Sequence, residues 1–311
     1  MILPGMRGRF APSPTGALHL GNLRTALVSW LQARAVGGEW IVRMEDLDRV
    51  TSSPEHERQQ LADLAALGLV PDEPAVRQSD RFDLYREAIA TLQRVGRVYE
   101  CYCSRREIRE ASHAPHGELP DGAYPGTCRD LPTAEREARR ALLREQHRRP
   151  ALRLRTEGER FTIDDLVAGR FEGGVDDVVL QRNDGVPAYN LAVVVDDAAQ
   201  AITDVVRGDD LLSSTPRQML LQHLLGLPHP RYAHVPLVLG PDGNRLAKRH
   251  GAITMADLAA RGVGAPEVLA RLGASLGLCA VDEAVSALDL AARFEIGTVP
   301  TSPWWLADGD I

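Results

Sequence analysis

Apolar positions in the N-terminal third alternate between two periodicities. Residues 7–11 form a short strand-like run that stops at the stiff loop Pro12-Ser13-Pro14-Thr15-Gly16. Leu20, Leu23, Leu27, Trp30 and Leu31 then recur at helical spacing until Gly37-Gly38 ends the run. Trp40, Ile41, Val42 and Met44 predict a strand over residues 39–44. Strand, helix and strand within about forty residues predict a parallel pair with a right-handed crossover. Amphipathic helices are expected over residues 55–67 and 81–95.

The rhythm breaks at Val98. To about Gly174, cysteines, prolines, glycines and an arginine-rich helix interrupt it, which predicts an insertion. Strand signals return at residues 178–180, Asn183-Asp184-Gly185 is a hairpin-turn signal, and the apolar run at 188–195 reads as a second strand. A strand at 201–206, a helix at 215–225 and a strand at 235–239 follow, then helices at 255–261, 266–276 and 284–294. The expected fold is α/β, with a Rossmann-like doubly wound parallel sheet. Residues 1–97 and 176–251 would supply its two halves, residues 98–175 an inserted subdomain, and residues 252–311 a helical C-terminal subdomain.

Composition narrows the class. In 311 residues, 44% apolar and 25% charged content is that of a soluble globular protein. No apolar run reaches the roughly eighteen residues of a membrane span, and the N-terminus lacks the apolar stretch of a secretory signal. A cytoplasmic location is therefore expected. The net charge of -7 argues against nonspecific coating of nucleic acid. Residues 129–160 run against that average with ten arginines and six acids, and could face phosphates.

Of the 36 cationic side chains, Lys248 is the one lysine. It follows the turn-forming Gly240-Pro241-Asp242-Gly243-Asn244, within Arg245-Leu246-Ala247-Lys248-Arg249-His250-Gly251. An ammonium group can follow one phosphate oxygen as it moves, whereas the planar guanidinium favours fixed bidentate geometry. A second phosphate-binding candidate is His19-Leu20-Gly21-Asn22, where a strand has ended and a helix begins. Backbone N–H groups and the helix dipole favour anions there.

Cys101, Cys103 and Cys128, with Tyr124, gather three thiols and a phenol in a short segment. Thiolates at such spacing suit zinc, and a metal would staple an insertion poor in hydrophobic residues. His113 and His116 lie between them, so the spacing leaves the fourth ligand open among Tyr124 and the two histidines. Buried strand thiols without metal are the competing reading, and Cys279 reads as a core residue.

The stretch Arg9-Phe10-Ala11-Pro12-Ser13-Pro14-Thr15-Gly16, continuing through Leu18-His19 and Gly21-Asn22 to Arg24-Thr25-Ala26-Leu27, resembles the signature of the glutamyl-tRNA synthetases. In that resemblance His19, Leu20, Gly21 and Asn22 match the first adenylate-forming motif of the family. Arg245-Leu246-Ala247-Lys248-Arg249 matches the second, with Arg for its first lysine and Ala for its serine. The resemblance implies catalytic and ATP-binding roles for His19, Gly21, Asn22 and Lys248, with Mg²⁺ accompanying ATP. It places Arg9, Ala11, Ser13, Glu45, Tyr189 and Arg207 at the glutamate site, with Glu45 facing the ammonium group. It also implies a structural zinc held by Cys101, Cys103, Tyr124 and Cys128.

The chain resembles the truncated, glutamyl-Q branch of that family, for which no anticodon-binding domain is expected. The branch activates glutamate without tRNA and transfers it to the queuosine base at the wobble position of tRNA(Asp). The expected partners are ATP, L-glutamate and the tRNA(Asp) anticodon loop, and the expected state is a monomer. The alternatives are a truncated synthetase that charges a tRNA 3′ end and a catalytically inactive, zinc-bearing RNA-binding module.

Overall fold

A computed structural model describes residues 5–104, 106–108, 123–240, 243 and 253–306. Its centre is a five-stranded parallel sheet built from β1 (Arg7–Phe10), β2 (Glu39–Met44), β3 (Val76–Arg77), β9 (Asp204–Gly208) and β10 (Arg231–Val235), ordered β10-β9-β1-β2-β3. The chain runs outward from β1 through β2 to β3, then returns to lay β9 on the other side of β1. The strand order therefore reverses between β1 and β9, and ligands of open α/β sheets bind beyond the carboxyl ends of strands at such a switch point.

Helix α1 (Leu20–Ala35) joins β1 to β2 and is buried almost all round. Leu23, Leu27 and Leu31 have no exposed surface, and α1 is enclosed by the sheet and by α8 (Ala265–Ala274) and α9 (Ala287–Ala292). Helices α2 (Pro54–Ala66) and α3 (Phe82–Arg94) follow β2 and β3, within one residue of their expected bounds. Arg24 of α1, 1% exposed, donates to Ser275 Oγ (3.0 Å), Ser275 O (3.4 Å) and Pro236 O (3.0 Å). Burial pushes its pKa down to about 10.

Outside this sheet, β4 (Val98–Cys101), β5 (Ala151–Leu154) and β8 (Val179–Gln181) form an antiparallel sheet preceded on the chain side of β5 by α4 (Thr133–Glu145), and β6 (Arg160–Asp165) pairs with β7 (Gly169–Gly174) as a hairpin. The strand signal near residue 179 thus joins β5, not the parallel sheet. The run at 188–195 is helical, not a strand: α5 spans Tyr189–Ala199. A nearly continuous apolar run fits a buried helix as well as a buried strand, and tertiary burial overrides the β-preference of Val193, Val194 and Val195. Helix α6 (Thr215–Leu225) has the expected bounds. The strand expected at 235–239 divides at Pro236 into the end of β10 and β11 (Val238–Leu239), which pairs in parallel with β12 (Trp304–Trp305). Helix α7 (Met255–Ala260) begins at a Thr254 cap. No helix among the described residues is long and apolar enough to cross a membrane.

Candidate functional site

A cleft of about 690 Å³ opens at the switch point, lined by the loop after β1 and the chain after β9. Arg9, Ala11, Ser13, His19, Gly21, Asn22, Glu45, Tyr189 and Arg207 all face it. The expectations at Arg245, Ala247 and Lys248 lie outside the described residues. The β1 loop is braced from two sides. Gln60 of α2 donates to Ser13 O (3.0 Å) and Gly16 O (2.7 Å), while Ser53 N–H donates to Pro14 O and Glu45 N–H to Pro12 O.

His19 is the N-cap of α1. Its Nδ1 accepts from Gly21 N–H (3.1 Å) and Asn22 N–H (3.4 Å), and Asn22 Oδ1 accepts in return from His19 N–H (3.2 Å). Two donors converging on Nδ1 require the ring proton on Nε2. Burial holds the His19 pKa below its usual value, so the imidazole is neutral and offers Nε2–H to a ligand. A Cβ on Gly21 would meet His19 Cε1 at 3.0 Å and disturb the cap. Leu20 N–H donates to Ile253 O, which returns the chain beyond Lys248 to this helix start.

Charge beneath the cleft is concentrated and largely internal. Asp197 Oδ1, at the end of α5, accepts from Arg9 Nε (3.2 Å) and Arg43 Nη1 (2.8 Å). Asp196 accepts from Gln78, Arg81 and Tyr85. Arg43 is fully buried, and its Nη2 lies 3.7 Å from Glu45 Oε1 without a hydrogen-bond partner. Burial raises the Glu45 pKa to about 7 against the opposing pull of Arg43 and Arg9. Desolvation in the cleft and the neighbouring Glu45 carboxylate push the Tyr189 phenol up, although part of the side chain stays exposed, and the phenol remains a hydrogen-bond donor.

Arg207 is 5% exposed and held from three sides: Nε by His234 Nε2 (3.0 Å), Nη1 by Gln218 Oε1 (2.7 Å) and Nη2 by Thr215 Oγ1 (2.8 Å). Arg9 and Arg207 thus face a single cleft with Glu45 and Asp210, and the two guanidiniums suit an amino acid bearing two carboxylates, with Glu45 left for its ammonium group. Sequence reasoning missed Arg43, Gln60, Asp196, Asp197 and His234. The signal for the two aspartates was their position at the end of an apolar run, which reads differently once that run is a helix.

The cysteines meet at the end of β4. The sulfurs of Cys101, Cys103 and Cys128 lie within 4.8 Å of one another. Tyr124 Oη is 3.4 Å from Cys101 Sγ and 3.7 Å from Cys103 Sγ. Backbone N–H groups donate to Tyr124 Oη (Cys128, 2.9 Å) and to Cys128 Sγ (Tyr102, 3.4 Å), and Arg153 covers the Tyr124 ring at 3.7 Å. Contacts with Cys103 and Cys128 lower the Cys101 pKa, and the thiol contacts raise that of Cys103. Three sulfurs, a phenolic oxygen and N–H donors behind them fit a tetrahedral zinc donor set. His113 and His116 lie outside the described residues. Cys279 Sγ donates to Ala270 O and is far in sequence from this group.

Comparison with known proteins supplies the lineage. The family described as tRNA synthetases class I (E and Q), catalytic domain, matches residues 5–307. The glutamyl-Q tRNA(Asp) synthetase of Nocardia farcinica is 57% identical over 99% of this chain and 95% of its own length. The glutamate–tRNA ligase of Geobacter sulfurreducens is 43% identical over 96% of this chain, which spans 62% of that protein. A crystal structure of the Elizabethkingia meningosepticum glutamate tRNA ligase, solved in complex with its amino acid, aligns with a TM-score of 0.82 at 28% identity, covering 98% of this chain and 68% of that one. The parallel sheet with its switch-point cleft is the α/β fold of these enzymes, and the chain belongs to the class I tRNA synthetase (E and Q) family.

Proposed function

We propose that this chain uses ATP to activate glutamate as glutamyl-adenylate, without tRNA, and transfers the glutamyl group to the queuosine base at the wobble position of tRNA(Asp). The observation that carries the reading is the convergence of Arg9, Arg207 and Glu45 on one cleft beside the His19 cap. Arg9 and Arg207 pair with the two carboxylates and Glu45 opposes the ammonium group, while Ala11, Ser13 and Tyr189 complete the wall. Relatives named for glutamyl-Q tRNA(Asp) synthetase support the choice of acceptor.

In the first step a glutamate carboxylate oxygen attacks the α-phosphorus of ATP, the bond to the β-phosphate bridging oxygen breaks, and pyrophosphate leaves. The nucleophile is already an anion at neutral pH, so no general base is needed. His19 Nε2–H and the positive end of the α1 dipole stabilise phosphate oxygens, and Lys248 neutralises charge as it shifts toward the leaving group. Mg²⁺ carried with ATP supplies further neutralisation. Cys101, Cys103, Tyr124 and Cys128 hold a structural zinc.

Residues 1–97 and 176–251 act as the two halves of the catalytic domain, residues 98–175 as an inserted subdomain that contacts RNA, and residues 252–311 as a helical C-terminal subdomain. Helix α4 supports the RNA role: Arg136 and Arg144 have no acidic partner among the described residues, whereas Arg139 and Arg140 pair with Glu135 and Glu100. Free cations on an exposed helix suit an RNA backbone, with salt-dependent binding. The chain acts as a cytoplasmic monomer.

The test is incubation of the purified protein with labelled glutamate, ATP and tRNA(Asp) with or without queuosine. Label is expected only on the queuosine-bearing tRNA, with glutamate-dependent ATP–pyrophosphate exchange before any tRNA is added. Label on a tRNA 3′ end with queuosine untouched overturns the acceptor, and no exchange at all overturns the enzyme.

A further inference from the structure

Arg9 and Arg207 face the same cleft but differ in what lies behind them. Arg9 shares the Asp197 carboxylate with Arg43, whereas the three acceptors of Arg207 are the neutral groups of His234, Gln218 and Thr215. An arginine Nε–H is an obligate donor, so His234 Nε2 must accept from it and the imidazole proton must sit on Nδ1. Asp165 Oδ2 takes that proton in a hydrogen bond of 2.6 Å. Its other oxygen accepts three backbone N–H groups, from Val167 (3.0 Å), Ala168 (2.8 Å) and His234 (3.0 Å). Asp165 ends β6, His234 belongs to β10, and both side chains are closed to solvent.

We infer that Asp165 and His234 are positioning residues that fix the orientation of Arg207 and keep it without a counter-ion, so that its charge selects a substrate carboxylate over a carboxamide. The inference rests on the glutamate reading above. The tautomer is the working part. Burial favours a neutral His234, and the Asp165 carboxylate decides which nitrogen carries the proton. If the proton moved to Nε2, two N–H groups would face each other and Arg207 would swing away from its place.

Asp165→Asn tests this directly. The three backbone N–H groups hold the amide oxygen at the Oδ1 position, which puts the NH₂ against His234 Nδ1 and drives the ring proton to Nε2. In glutamate-dependent ATP–pyrophosphate exchange, the glutamate KM should rise by roughly tenfold or more, with kcat and the ATP KM within about threefold of the parent. Discrimination against glutamine should fall by a similar factor. An unchanged glutamate KM in a variant that melts with the parent overturns the inference.

A second measurement does not depend on Asp165→Asn folding. Histidine-selective ¹⁵N spectra of the parent, with the His234 signal assigned by its loss in His234→Gln, should show a neutral ring protonated on Nδ1. Protonation on Nε2 overturns the relay. A parent that gives no glutamate-dependent exchange removes the substrate reading instead, and the ¹⁵N tautomer still decides the relay.

Discussion

The cleft and the cysteine cluster both crowd polar groups into little space, and they differ in where the balancing charge comes from. In the cleft, Arg9 and Arg43 share Asp197, Asp196 collects three donors, and the acids and bases are supplied by strands and helices of one chain. In the cluster, three sulfurs and a phenol collect N–H donors and the stacked Arg153, and they fit a cation from outside. The first region is preorganised by folding alone. The second would draw its balancing charge from a bound cation, which would couple that part of the fold to metal supply.

Metal removal should produce the largest effect. The purified chain is expected to carry one zinc, and zinc-peptide affinities of about 10–16 kcal/mol indicate how much local structure depends on such a site. Stripping it with a strong chelator should erase amide-exchange protection over residues 99–103 and 123–128 and leave the parallel sheet protected. A chain that carries no metal and is fully protected there would make the two regions alike.

Asp197→Ala attacks the self-balanced region. Two buried guanidiniums would lose their shared anion, for an expected destabilisation of about 3–5 kcal/mol, measured by denaturant unfolding. A change below about 1 kcal/mol would mean that Glu45 and Asp196 already neutralise the cluster without it.

The smallest expected effect is a titration. Glu45, raised by burial to about 7, is ionised above that pH and protonated below it in the empty pocket. Only the ionised form attracts an ammonium group, so the glutamate KM should rise as pH falls, by roughly tenfold one unit below the pKa. A flat KM between about pH 8 and about pH 6 would show that Arg43 and Arg9 hold Glu45 ionised throughout.

How much of this was legible depended on whether the information is local. The β1 loop, the His19 cap and the bounds of β2 and α6 follow from contiguous patterns of proline, glycine and apolar spacing. The cysteines were legible because thiols are rare and close in the chain, and Tyr124 Oη lies 3.4 Å from Cys101 Sγ and 3.7 Å from Cys103 Sγ. Asp165 and His234 carry no such mark, and Arg207 was reached only through the family resemblance: each sits in a different strand, and only the return of β9 beside β1 and the packing of the β6–β7 hairpin bring them together. Asp196 and Asp197 were hidden by the misread run before them, because a strand would have pointed the two carboxylates to opposite faces.

Arg24 carries a consequence for cooperativity. Its guanidinium is sealed between α1, Pro236 and Ser275 with carbonyl and hydroxyl partners and, among the described residues, no carboxylate in hydrogen-bond reach. If α8 and α9 peeled away from α1, that cation would lose two of its three partners while the apolar face of α1 was exposed. The C-terminal helices and the parallel sheet are therefore expected to melt as one unit, and a proteolytic cut among those helices should unfold the nucleotide-binding end as well.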